Sequence, residues 1–124
     1  RKAWTATLFE IGDLYRVIVE DTKTARPLKW KAEKLKKQGS KINEEAMAEI
    51  MEINRMYDEL LSRTGSLYRS VGNWMGPMTA DQRSQMTYYA EVQERLSKRM
   101  DTLIHEMLPK WNKKLDKVYR FEID

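Results

Sequence analysis

Residues 76–111 read GPMTADQRSQMTYYAEVQERLSKRMDTLIHEMLPKW, and they contain the clearest helix start and most of the longest amphipathic pattern of the chain. Gly76-Pro77 ends the preceding element, and Thr79 with Gln82 forms a capping box that starts a helix. Apolar residues then recur at steps of three and four, which places them on one helical face. That face comprises Met86, Tyr89, Val92, Leu96, Met100, Leu103, Met107, Trp111, Leu115 and Val118. We predict a helix over about residues 80–119, kinked at Pro109 without loss of phase.

Two more amphipathic patterns precede this stretch. The first covers about residues 3–38 and continues in phase past Pro27, which predicts a kink rather than a break, before Gly39 stops it. The second covers about residues 43–74, with Ser40 or Asn43 as its N-cap and with Gly65 and Gly72 at points of close helix packing. Short connections make neighbouring helices antiparallel. The chain is therefore predicted to be all-α, an elongated up-down-up three-helix bundle with long, Pro-kinked helices, in one domain over residues 1–124.

The composition removes most catalytic and metal-binding architectures. The 124 residues include no Cys and one His, which excludes disulfide scaffolds, thiolate metal sites and Cys nucleophiles. His105-Glu106 begins an H-E-x-x-H zinc motif, but Pro109 stands where the second His is required. No apolar run is long enough to span a bilayer. We predict no catalytic, cofactor-binding or metal-binding residue and no cofactor for this chain.

Positive charge is concentrated in two segments. Six basic residues lie from Lys29 to Lys41 and five lie from Lys110 to Arg120, both ends included. The net charge of the whole chain is +4. An up-down-up bundle brings both segments to one end, beside the acidic start of the second helix. One interpretation is a basic surface for an anionic partner, either nucleic acid or a membrane surface. The other is charge matching between helix ends with interhelical ion pairs. The absence of nucleic-acid recognition motifs disfavours a nucleic-acid partner.

The aromatic residues supply the candidate contact surface. Trp4, Trp111 and most of the tyrosines fall on the apolar faces, where core packing is expected. Trp30 lies off the apolar face among lysines, and Trp74 lies next to Met75 at the end of the second helix. Since interfaces are enriched in Trp and Met, these last three residues form the predicted interaction surface.

The second half of the chain carries a family resemblance. It contains a small-residue stretch, an aromatic segment, a Pro-x-Thr-x-x-Gln turn and a Leu-Ile-x-x-x-Leu-Pro ending, formed by Thr64, Gly65, Ser66, Tyr68, Trp74, Pro77, Thr79, Gln82, Leu103, Ile104, Leu108 and Pro109. With these elements, the segment after Leu61 resembles the C-terminal helical region of sortilin-like, BNR-repeat β-propeller proteins, a group that includes bacterial glycosyl hydrolase-like and sialidase-like members. Met78 departs from the usual Pro-Thr turn of the family. The resemblance covers slightly under half of the chain.

The resemblance implies a non-catalytic module appended C-terminally to a propeller, packing against that upstream domain of the same chain or mediating assembly. It carries no catalytic residue into these 124 residues and implies a periplasmic or cell-surface location. Because the chain starts at Arg1 rather than at Met, we expect either that a leader was removed or, as we favour, that this is a fragment of a larger protein. A homodimer is a further expectation, since a thin bundle can leave an apolar seam.

Overall fold

The computed structural model describes residues 3–74 and 76–122, with side chains from Leu8 onward. Its helices are α1 (Ala3–Lys37), α2 (Glu44–Asn73), α3 (Ala80–Thr102), a π-helical turn (Leu103–Met107), α4 (Leu108–Asn112) and a short 3-10 helix (Lys117–Tyr119). The prediction of an all-α three-helix bundle is confirmed. The Trp4 side chain, predicted to lie in the core, falls outside the described residues.

The helix ends use the capping groups that the sequence predicts. The Asn43 side chain accepts a hydrogen bond of 3.0 Å from the Ala46 N–H and starts α2. Thr79 and Gln82 bond each other's backbone N–H groups at 2.9 and 3.1 Å and start α3. Gly39 has φ +72°, which lets the Gly39 and Ser40 N–H groups turn back onto α1 carbonyls and end that helix. Helix α1 runs unbroken through Pro27, as predicted.

Two glycines set the approach of α1 and α2. A Cβ atom on Gly12 would lie 3.2 Å from Cε2 of Tyr68, and one on Gly65 would lie 3.3 Å from Cε2 of Tyr15. Each tyrosine ring therefore covers the glycine of the facing helix, which confirms close packing at Gly65. Four of the six tyrosines are exposed, Tyr15 at 36%, Tyr68 at 42%, Tyr88 at 55% and Tyr119 at 40%, so the prediction that most tyrosines are core residues is wrong. Gly72 is exposed and is not a point of close packing.

One carboxylate joins all three helices. Asp21 of α1 accepts a 2.9 Å hydrogen bond from the Tyr57 hydroxyl of α2 and a 3.0 Å bond from Nε2 of Gln93 of α3. Burial, followed by the bond to Asp21, raises the pKa of Tyr57, so the phenol stays protonated and remains a donor. A second buried polar group, Asn54, donates to the Ala25 carbonyl of α1 at 3.0 Å. These bonds fix the register of the helices around the core.

The core is continuous along the bundle. Its fully buried members include Ile11, Ile18, Ala32, Ala46, Ile50, Val71, Leu96, Leu103, Leu108 and Trp111. Burial of such side chains is the dominant favourable term in folding.

The apolar face of the third helix shifts by one residue before Pro109. The prediction that this face continues past Pro109 without loss of phase is therefore wrong. The Leu108 N–H bonds to the Leu103 carbonyl five residues back, forming a π-helical turn. Pro109 has no N–H for the His105 carbonyl and its ring crowds that group, and a wider turn relieves both problems. The inserted residue moves the buried position from the predicted Met107, which is half-buried, to Leu108, which is fully buried. The helix then ends at Asn112 rather than near residue 119.

Thr64 of α2 is the basis of a stability prediction. Its side chain is fully buried and Oγ1 has no hydrogen-bond partner within the described part of the chain. Because an unsatisfied buried hydroxyl costs about 1–3 kcal/mol, Thr64→Val should raise the free energy of unfolding by about 1 kcal/mol in urea denaturation. Thr64→Ser, which keeps the hydroxyl and loses a methyl group, should lower it. A Val variant less stable than the parent would mean that the hydroxyl bonds an acceptor.

Candidate binding surface at the basic end

One end of the bundle, called the basic end here, joins the end of α1, the α1–α2 connection, α4 and the residues after it. The fully buried Trp111 of α4 donates its indole N–H to the Lys41 carbonyl at 3.0 Å. This bond ties the third helix to the connection between the first two. The two basic segments of the sequence therefore lie at the same end, as the up-down-up topology predicts.

Residues 113–122, called the C-terminal hook, fold back onto this end. The Asn112 side chain donates to the Phe121 carbonyl at 2.9 Å and accepts from the Phe121 N–H at 2.7 Å. The Phe121 ring is 3% exposed and lies 4.9 Å from the Trp111 ring, measured between centroids. Lys31 of α1 donates to the Arg120 carbonyl. The hook is thus docked at Phe121.

The hook and α1 enclose a groove, called the Trp30 groove. It has a volume of about 280 Å³ and is lined by Trp30, Lys31, Lys34, Leu35, Gln38, Val118 and Tyr119. Trp30 is 63% exposed, Val118 78% and Tyr119 40%. Val118 was predicted to lie on the buried face of a continuous helix. Because that helix ends at Asn112, Val118 faces solvent beside Trp30 instead.

The basic residues of this end form no ion pair with a described residue. Within residues 3–74 and 76–122, no ion pair involves the set Lys29, Lys31, Lys34, Lys36, Lys37, Lys41, Lys110, Lys113, Lys114, Lys117 and Arg120. The interhelical pairs that the described residues do form lie elsewhere, Arg26 with Asp58 at 2.8 Å and Arg99 with Glu49 at 2.6 Å. The interpretation that interhelical ion pairs neutralise the basic side chains of this end therefore does not hold.

Trp74, another member of the predicted surface, lies at the opposite end of the bundle. Trp74 follows α2 and is 50% exposed, and its indole N–H donates to the Pro77 carbonyl at 2.9 Å. A Cβ atom on Gly76 would lie 2.9 Å from Nε1 of that ring, so the indole lies against its own turn. Met75 lies outside the described residues. The structure thus separates Trp30 from Trp74 rather than bringing them together.

A second groove, called the arginine groove, lies between α2 and α3 and was missed by the sequence analysis. Its volume is about 490 Å³, and its lining includes four arginines, Arg55, Arg63, Arg95 and Arg99. Their spacing was a usable signal, since residues eight or four apart lie on one helical face. The predicted basic surface comprised only the two lysine-rich segments, and the four arginines lie outside these segments.

Carboxylates of α2 pair with three of these arginines. The shortest distances are 2.7 Å for Arg55 with Glu52, 3.0 Å for Arg63 with Glu59 and 2.6 Å for Arg99 with Glu49. The hydrogen bond to Glu49 raises the pKa of Arg99, and the bond to Arg55 lowers the pKa of Glu52. Arg95 has no ion pair with any described residue and lines the groove beside Tyr88, which is 55% exposed.

Comparisons with known proteins do not assign the chain to a family. No family model, curated protein or solved structure matches the chain. Among the described residues, no group of three His, Asp or Glu side chains is placed to hold a metal ion. No helix of the described ranges is long and apolar enough to cross a membrane.

Proposed function

We propose that this chain is a non-catalytic helical module that docks onto a protein surface through the Trp30 groove. The observation that carries this proposal is the exposure of Trp30, Val118 and Tyr119 in one groove among lysines without ion pairs. Trp and Tyr anchor protein interfaces because they bury a large area at a small cost in conformational entropy. The surface that fits this groove presents an apolar side chain flanked by carboxylates.

The resemblance to BNR-repeat β-propeller proteins supplies the setting of the proposal. The residues that carry it include the turn through Pro77, Thr79 and Gln82, which caps α3, and Leu108-Pro109, which follows the π-helical turn. In that setting the module is appended C-terminally to a propeller, and the docking partner is the propeller of the same chain. A periplasmic or cell-surface location belongs to the same proposal.

Two measurements test the proposal in sequence. An antibody raised against this chain should detect, in extracts of the cells that make it, a polypeptide several-fold heavier than 14.8 kDa. A photo-crosslinking phenylalanine analogue placed at position 30 of that native polypeptide should then crosslink to the upstream domain. The same group at position 74, which is also exposed but lies at the opposite end, is the matched control.

The outcomes separate the parts of the proposal. Equal crosslinking from positions 30 and 74 would refute docking through the Trp30 groove. A native polypeptide near 14.8 kDa would refute the appended module. Trp30→Ala should abolish the crosslinked product formed from a neighbouring position such as Lys34 while leaving the helical content unchanged, since Trp30 is exposed.

The basic residues without ion pairs favour a second candidate function, a free-standing bundle that binds an anionic partner, nucleic acid or a membrane surface. On this alternative, affinity for single-stranded polynucleotide or for phosphatidylglycerol vesicles falls steeply with salt. Reversing Lys110, Lys113, Lys114 and Lys117 to Glu should abolish that binding. Reversing Arg16 and Lys23, which pair with Asp13 and Glu20 away from the basic end, should leave it unchanged.

A further inference from the structure

The arginine groove has the form of a helix-binding groove. Half-buried and buried side chains form its floor, namely Met56, Leu60, Tyr89, Val92 and Leu96, and the four arginines lie around it. Arg55 and Arg63 are eight residues apart on α2, which corresponds to a length of about 12 Å, or rather more than two helical turns. An apolar floor between two helices accepts the apolar face of a third helix, as in known helix-in-groove complexes.

The charge of the groove identifies the kind of helix that fits. Three of the four arginines of the lining are already paired, Arg55 and Arg63 with Glu59 and Arg99 with Glu49, so the lining has one arginine without an ion pair to a described residue. Arg95 has neither an ion pair nor a hydrogen bond to another described side chain, so its guanidinium donors are available to a partner. A guanidinium group forms bidentate hydrogen bonds with a carboxylate, so an acidic partner is favoured.

We propose that the arginine groove binds an acidic amphipathic helix of a partner protein. The leucine-like face of that helix packs on Leu60 and Val92, and a carboxylate on its flank pairs with Arg95. A second copy of this chain does not meet these requirements through the same groove, because a twofold contact would place the two sets of arginines against each other. This site is separate from the Trp30 groove and does not depend on the function proposed for it.

The test uses this chain and a designed probe. The probe is an acetylated, amidated peptide of about 14 residues, four helical turns, with leucines at helical spacing and glutamates on both flanks. Binding is measured by fluorescence anisotropy of the labelled peptide at physiological salt. Contacts are mapped by the NMR signals of the arginine Nε–H groups. The control peptide replaces every Glu by Gln.

Two matched charge reversals on α3 decide the outcome. Arg95→Glu should weaken binding at least about tenfold, because it places a carboxylate opposite those of the probe. Lys98→Glu changes the net charge by the same amount outside the groove and should leave the affinity within about twofold. Neither residue forms an ion pair among the described residues, so both variants should keep the circular dichroism spectrum and melting temperature of the parent.

Each contrary result overturns the proposal. Equal losses for Arg95→Glu and Lys98→Glu would reduce the binding to general charge attraction. Equal affinity for the Glu and Gln peptides would show that the arginines do not contribute to peptide recognition. If the Glu peptide does not bind at millimolar concentration, the groove is not a binding site for an acidic helix. Trp30→Ala should not alter peptide binding, so failure here is distinguishable from failure of the docking function.

Discussion

Trp111→Ala should lower the free energy of unfolding by about 4 kcal/mol, the largest loss expected from a single truncation in this chain. The indole is fully buried, and its N–H is bonded to the Lys41 carbonyl at 3.0 Å. Its ring also packs against Phe121, which holds the C-terminal hook. Truncation therefore removes core packing, the tie to the α1–α2 connection and the support of the hook at once. Urea denaturation followed by circular dichroism measures the loss.

Two variants separate these contributions. Trp111→Phe keeps an aromatic ring but loses the donor to Lys41, and should cost about 1–2 kcal/mol. Trp30→Ala removes an indole that is 63% exposed and should change stability by less than about 0.5 kcal/mol. Limited trypsin digestion should cleave the hook of Trp111→Ala at Lys113 or Lys117 faster than that of the parent. A loss no larger than that of Trp30→Ala would contradict the burial of Trp111.

Tyr57→Ala should be the second most damaging change, at about 3–4 kcal/mol by the same denaturation measurement. The side chain is 1% exposed, and its hydroxyl donates to Asp21 on α1. Truncation leaves a cavity among the three helices and leaves Asp21 with Gln93 as its remaining described donor. Tyr57→Phe keeps the ring and should cost less, about 1.5–3 kcal/mol, the range of a hydrogen bond to a charged acceptor. Equal losses for the two variants would mean that packing contributes nothing here.

The same tyrosine predicts a response to alkali. Burial raises the pKa of Tyr57 in the folded state above its value of about 10 in the unfolded chain. The stability contributed by the neutral phenol is therefore fully present below pH about 10 and declines as the pH rises above that value. The parent should lose stability more steeply than Tyr57→Phe over that range. Parallel slopes for the two proteins would place the Tyr57 hydroxyl in water.

Local sequence signals were sufficient for the helices and their starts. Asn43 and the pair Thr79 and Gln82 cap α2 and α3 as predicted, because capping depends on groups within one turn of the backbone. The end of the third helix was not predictable in this way. Its π-helical turn keeps Leu103 and Leu108 buried, and its termination depends on bonds between Asn112 and Phe121, nine residues apart. Neither arrangement follows from a periodic pattern.

For the candidate surfaces, too, the sequence predicted the features that depend on local pattern and missed those that depend on the packing of the helices. Trp30 was predicted to be exposed because it lies off the apolar face among lysines, and it is exposed. Val118 was predicted to be buried and is instead beside Trp30, because the chain leaves the helix before it. Arg95 and Arg63 lie on different helices, so their convergence in one groove depends on the register of α2 and α3.

Three properties were predictable from the amino-acid sequence: the helical character of the chain, the bounds of two of its three helices, and the meeting of its basic segments at one end. These properties depend on local propensity, capping and the short connections, all of which act over a few residues. The packing of the helices, by contrast, sets which exposed side chains share a groove and which lysines form no ion pair with a described residue. Those outcomes depend on helix register and on where the hook docks, and a one-residue shift such as the π-helical turn changes them without changing the amphipathic pattern that predicts the helices.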